Sequence, residues 1–280
     1  MQISIGQGSK SIIQYSIDRD DRHIKRFLET KIDFERALEE FTRLAETDEE
    51  KEAGRRVGEI HGGFGEISGK IIGITNGIQA SLTRLNQVVA NIEQILNDQL
   101  EVFIDRDAPD GLLKLEAVLN MGIRLDKAYL AIQSYMASPD PRFREIVREE
   151  QTEFKEIEAR FRSSRPSLSE ELMVGVIDDV FLDAVVMGTR VMDQVDQRRI
   201  LLVDLADDLE EIDRIVIEDI QPLILAETFE ALDGAEASVD VATFAVLILI
   251  ALGAVVGGGT ALIVARQIVN PIVRLTNVAV

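Results

Sequence analysis

Cysteine and tryptophan are absent from this 280-residue chain, histidine occurs twice, and proline only six times. Without cysteine there is no disulfide framework, no thiolate nucleophile and no cysteine-containing zinc site. The two histidines, His23 and His61, lie far apart in sequence and argue against a histidine-rich metal centre. Basic charge is also short, at 30 Lys+Arg against 50 Asp+Glu. Residues 241–280 hold Arg266 and Arg274 and no acid, which leaves 28 bases against 50 acids, a formal −22, in residues 1–240. So acidic a segment repels a phosphate backbone, and nucleic acid is excluded as a partner. A glycine-rich phosphate loop, a nucleophile elbow and an HExxH helix are missing as well. The sequence therefore gives no grounds for an enzyme or for a cofactor.

What the sequence does contain is one long uncharged run, Val241 to Ala265. At about 1.5 Å per residue a helix of that length reaches just under 40 Å, enough for a hydrocarbon core of roughly 30 Å. The run is predicted to span a membrane as residues 239–265. Asp233, Glu236 and Asp240 precede it and Arg266 and Arg274 follow it, so the positive-inside tendency puts residues 266–280 in the cytoplasm of an inner cell membrane. Residues 1–238 are then extracytoplasmic. MQISIGQGSK is too polar to be their export signal, so a first membrane helix is expected upstream of Met1.

Residues 1–240 read as helix nearly throughout. Thr47-Asp48-Glu49-Glu50 and Ser167-Leu168-Ser169-Glu170 fit the capping box, in which a hydroxyl and a glutamate answer each other's backbone N–H groups. Pro109 with Gly111, Pro139 with Pro141, and Pro166 mark loops, because proline cannot continue a preceding helix. Five helices follow, at about 9–46, 49–104, 111–137, 141–164 and 168–232.

Heptad periodicity shows how these helices pack. In the fifth, Val174, Phe181, Gly188, Val195, Leu202, Leu209, Val216 and Leu223 fall on one position. Ile177, Ala184, Val191, Arg198, Leu205, Ile212 and Asp219 fall on its partner, making one bundle seam. The third carries Leu115, Val118, Gly122, Leu125, Tyr129, Ile132 and Met136; the fourth Phe143, Val147, Phe154, Ile157 and Phe161. The first uses Ile13, Ile17, Ile24, Phe27, Phe34, Leu38 and Phe41. In the second, a seam from Ile60 to Ile78 shifts by four residues at Leu82, a stutter that locally unwinds a supercoil. Gly65, Gly69, Gly73 and Gly77 recur off that seam at up to about 1 kcal/mol each relative to alanine. Two readings stay open: close approach of a helix from another subunit, or a break near Gly62–Gly65 that raises the count to six helices. The expected fold is all-α, an elongated antiparallel four-helix bundle built as two stacked modules and continuing into the transmembrane helix.

After the span come Pro271, Leu275 and Ala279, which resemble the proline, leucine and alanine that open the first amphipathic helix of a HAMP domain. Ile272, Leu275 and Ala279 can share one face of a small parallel bundle. The match covers residues 266–280 only, a truncated start without the family's connector and second helix. A helical extracytoplasmic region followed by a span and HAMP resembles the sensor part of a methyl-accepting chemotaxis receptor, or of a histidine kinase. The interruptions Ala45-Glu46-Thr47-Asp48 and Ala137-Ser138-Pro139-Asp140 resemble those of the helical bimodular type. The resemblance implies a homodimer, a small-molecule ligand such as an organic acid bound between helices, and cytoplasmic signalling partners. A ligand-free ectodomain that binds a protein or acts as a spacer is the alternative.

A carboxylate ligand calls for arginine, whose planar fork makes two parallel hydrogen bonds. The candidates are Arg19, Arg22 and Arg26 on the first helix, Arg124 and Arg190 inside apolar stretches, and Arg198 in the fifth-helix seam. Asp219, Asp20 and Lys31 are further polar intruders in seams. Pro222 is expected either to kink the fifth helix or to end it. Pro222, Pro271 and Leu275 are the candidate signalling positions. Gly253, Gly257 and Gly258 permit close helix contact in the membrane.

Overall fold

A computed structural model describes residues 2–100, 102, 104, 105 and 107–226. The predicted span and the HAMP-like segment, with Pro271 and Leu275, lie outside the described residues. Among the described residues the chain is all-helical, and no helix is long and apolar enough to cross a membrane. Six helices occur: α1 (Gln2–Asp18), α2 (Asp21–Leu44), α3 (Asp48–Gln94), α4 (Gly111–Ala137), α5 (Pro141–Ser163) and α6 (Leu168–Arg214). π-helical turns extend α3 through Ile95–Leu100 and α6 through Ile215–Ile220.

Both capping boxes form where the sequence puts them. The Glu50 N–H donates to Thr47 Oγ1 at 3.2 Å, and the Thr47 N–H donates to Glu50 Oε2 at 2.9 Å. At the start of α6 the Glu170 N–H donates to Ser167 Oγ at 3.3 Å, and the Ser167 N–H donates back to the Glu170 carboxylate. Asp140 caps α5 by accepting from the Arg142 N–H at 2.9 Å, with Pro141 in the first turn, where its missing N–H costs nothing.

The expected first helix is in fact two. Arg19 adopts φ 61°, a left-handed conformation that ends α1, and Asp20 restarts the chain by capping α2 through the Arg22 N–H. Asp-Arg-Asp-Asp at 18–21 was the signal, since aspartate competes with helix by accepting local backbone N–H groups. The break also moves the seam. In α1, Ile12 and Tyr15 are buried while Ile17 is exposed; in α2, Phe27 and Phe34 are buried as expected. Asp20 is therefore a cap rather than a seam residue. By contrast α3 runs unbroken through Gly62–Gly65, so the sixth helix comes from Arg19 and not from those glycines.

The chain divides into two compact units, residues 2–70 with 202–226, and residues 71–201. In the second unit one apolar core joins Leu85, Ile92 and Leu96 of α3 to Leu125 and Ile132 of α4. It continues through Phe154 and Phe161 of α5 and Val174, Phe181 and Val191 of α6. Phe154 and Phe181 stack face to face at its centre, 3.7 Å between centroids and 3° apart in plane. Gly188 admits the closest approach of α4: a Cβ there would lie 2.2 Å from Ile132 Cδ1. The α4 seam is also offset from the sequence reading. Met121, Ala128 and Tyr135 are buried beside Val118, Leu125 and Ile132, while Tyr129 and Met136 are only partly covered.

In the first unit Phe27 and Phe34 of α2 meet Phe64 and His61 of α3, and Leu205 and Ile212 of α6 are buried. The α6 seam holds its register to Ile212, after which Ile215 and Ile220 are buried in place of Val216 and Asp219. The π turn explains the shift, because it inserts one residue into the helical repeat. Asp219 thereby leaves the seam and accepts from Arg56 Nη1 at 2.9 Å, while Glu211 lies 3.4 Å from Nη2. Helix continues through Pro222 to Ala226, so the chain does not end its helix there.

Truncating the central stack tests the core of the second unit. Phe154→Ala is expected to cost about 3–5 kcal/mol in urea unfolding, through lost burial and a residual cavity. Leu168→Ala, at a side chain 76% exposed, is expected to stay within about 0.5 kcal/mol of wild type.

Candidate ligand groove

An open groove of about 310 Å³ lies along the α4–α5 hairpin. Leu130 and Ala131 of α4 and Phe143 and Ile146 of α5 make its apolar wall. Its polar groups are Lys127, Ser134, Glu149 and Glu150.

Glu150 is the buried charge of this site, 8% exposed on the inner face of α5. Arg124 Nη1 lies 3.1 Å from its Oε2 and Lys127 Nζ 3.7 Å from its Oε1. Arg124 Nη1 also lies 2.7 Å from Glu153. The hydrogen bond to Glu150 raises the Arg124 pKa further above its ordinary value, so this guanidinium stays charged. Its Nε is buried without a hydrogen-bond partner among the described residues. A buried carboxylate answered by two cations is stable only while both remain, because desolvation penalises any charge left alone.

A second polar cluster fastens three helices of the same unit. Tyr135 Oη donates to Asp196 Oδ1 at 2.6 Å, and Arg144 Nη2 donates to Asp196 Oδ2 at 2.8 Å. Arg144 Nη1 lies 2.8 Å from Asp193, and its guanidinium sits 4.9 Å from the centroid of the Tyr135 ring. Every arm of Arg144 is thus engaged, which makes it a clamp across α4, α5 and α6.

The six arginines singled out from sequence do not converge on one pocket. Arg19 forms the α1–α2 junction. Arg22 is held by Asp20, its Nε donating to Oδ2 at 2.8 Å. Arg26 and Arg190 are exposed on α2 and α6, and Arg198 is partly buried on α6. Arg124 alone borders the groove, through Glu150. Lys31 lies 3.7 Å from Glu35 and belongs to the first unit.

Sequence reasoning missed Glu149 and Glu150, yet a signal existed. The α5 seam runs Phe143, Val147, Phe154, Ile157, Phe161, and the vacant heptad place between Val147 and Phe154 is position 150. A glutamate there is a polar intruder of the same kind as Arg198.

His61 is the other missed group. It is 6% exposed and stacks on Phe34 at 4.2 Å with 26° between planes, beside a void of about 10 Å³ bounded also by Gly8, Thr30 and Lys31. Burial lowers its pKa below the ordinary 6.5; the nearby Glu35 raises it and Lys31 lowers it. Among the described residues no group of three or more acidic or histidine side chains is placed to hold a metal ion.

The depressed pKa sets a pH dependence. An unfolded His61 takes up its proton near pH 6.5 while the folded one resists, so its contribution is complete above that pH and is lost on acidification below it. Between about pH 7.5 and 5.5 the wild-type thermal midpoint is expected to fall more steeply than that of His61→Phe, which keeps the stack without the titration. Equal slopes in the two proteins would remove His61 as the cause. No family model and no curated protein matches this chain.

Proposed function

We propose that this chain is the ligand-sensing and transmembrane part of a bacterial or archaeal chemotaxis receptor. Residues 1–238 sense outside the cell, residues 239–265 cross the inner membrane, and residues 266–280 begin a HAMP domain in the cytoplasm. The observation that carries this reading is the uncharged run Val241–Ala265 followed at once by Pro271, Leu275 and Ala279. Apolar segments of that length are rarely needed in water-soluble cores, and the residues after it fit an amphipathic helix leaving the bilayer.

The described helices support the reading in three ways. Their division into two compact units accords with a sensor of the helical bimodular type, built as two antiparallel bundles. The helix that approaches the span, α6 with its continuation to Ala226, contributes seam residues to both units. Leu112, Leu119 and Ile123 on α4, and Leu172, Val176, Leu182 and Val186 on α6, remain exposed, and a second copy of the chain would cover such apolar surface in a homodimer.

Signalling then follows from differential affinity. A small molecule held between helices favours one arrangement of α6 only to the extent that it binds that arrangement better. Pro222 stands just past the π turn Ile215–Ile220, where the α6 seam changes register, and marks the stretch through which such a bias would pass toward the span, the HAMP start and the cytoplasmic partners.

Membrane fractionation of cells expressing the 280-residue chain behind an added export signal tests this reading. The chain is expected to pellet with membranes and to resist carbonate extraction, with residues before 238 open to protease from outside and residues after 266 protected. Recovery in the aqueous fraction without detergent would refute it.

A further inference from the structure

We propose that the α4–α5 groove binds a small molecule bearing an ammonium group on an apolar body, an amine rather than an organic acid. The proposal rests on the receptor reading for its role in signalling; the groove and its charge do not depend on that reading.

The basic groups at the groove already face carboxylates, although Arg124 Nε keeps no hydrogen-bond partner among the described residues. Arg124 serves Glu150 and Glu153, and Lys127 lies 3.7 Å from Glu150. An incoming carboxylate would have to share these cations with buried Glu150 and would meet its negative charge at close range, where low dielectric strengthens the repulsion. It would also meet Glu149, exposed at the rim and without an ion pair among the described residues. Counting Arg124 and Lys127 against Glu149, Glu150 and Glu153, acid exceeds base at the site. The chain's formal charge of −20 adds a field that gathers cations and repels anions.

The remaining surfaces fit the two ends of such a ligand. Ser134 and Phe143 both line the groove; a hydroxyl oxygen can accept from an N–H donor, and an aromatic ring can attract a cation. Leu130, Ala131 and Ile146 cover an apolar body. At about 310 Å³ the space lies at the small end of ligand pockets, yet it exceeds what an inorganic cation fills.

The test uses three probes of one length that differ only in the head group: hexylamine, hexanoate and hexanol. Each is titrated calorimetrically into the full chain held in nanodiscs of zwitterionic lipid, with empty nanodiscs as the blank. Hexylamine is expected to saturate, with hexanoate and hexanol weaker by about tenfold or more. Glu149→Lys, an exposed change that spares the fold, is expected to weaken hexylamine by about tenfold and to narrow the gap to hexanoate. Ser134→Phe, which fills the groove, is expected to abolish hexylamine binding. Equal or tighter binding of hexanoate, affinity unchanged in both variants, or no saturation by hexylamine would each overturn the proposal. Membrane retention without amine binding sinks this inference alone, whereas amine binding by a chain that fails to pellet with membranes sinks the receptor reading alone.

Discussion

Val174, Ile177, Phe181, Ala184 and Val191 lie on one stripe of α6, and they can leave water only if other helices supply a matching stripe along its whole length. That requirement organises the second unit: α3, α4 and α5 each present their own apolar line to it. The same register, carried onward through Val195 and Leu205 to Ile212, makes α6 a contributor to the first unit as well. A helix committed at so many points cannot shift one seam residue without disturbing its neighbours, because close-packed interiors transmit small displacements. This property suits the signalling role proposed for α6.

Charge is distributed by a complementary logic. Ion pairs within one helix, such as Arg36 with Asp33, Arg43 with Glu40 and Arg55 with Glu52, are exposed and add little stability in water. Several pairs between helices are better shielded. Lys114 meets Glu170 at 3.0 Å, joining α4 to the first turn of α6, and the Arg144 clamp ties both to α5. Burial works against the Glu170 carboxylate, but the Ser167 N–H and the Lys114 ammonium outweigh it and hold its pKa below the ordinary value. The N-terminal cap of α6 is thus also a tertiary contact, which fixes where the long seam begins.

Much of this was legible in the sequence, for reasons that can be named. Helix starts at Thr47 and Ser167 were readable because a capping box is a local code, complete within four residues. The α6 seam was readable because fifteen positions share one period and a few exceptions cannot hide it. The break at Arg19 escaped because a single left-handed residue leaves no mark on hydrophobic periodicity, and only the aspartates around it announced the change. The π turn at Ile215–Ile220 escaped because one inserted residue turns Asp219 from seam to surface while the sequence still reads in phase. The candidate arginines illustrate the same limit. Sequence shows which cations are present but not which carboxylates claim them, and Arg22 and Arg124 both proved to be held by acids nearby in space.

Hydrogen exchange along α6 in the full chain measures the central claim directly, since amides under a seam buried from end to end open only when the packing opens. The seam amides from Val174 to Ile212 are expected to be strongly protected, and the Asp107–Asp110 loop to exchange fast. Exchange of the seam amides around Val191 or Leu205 at the rate of that loop would contradict the claim that one continuous stripe holds α6 in both units.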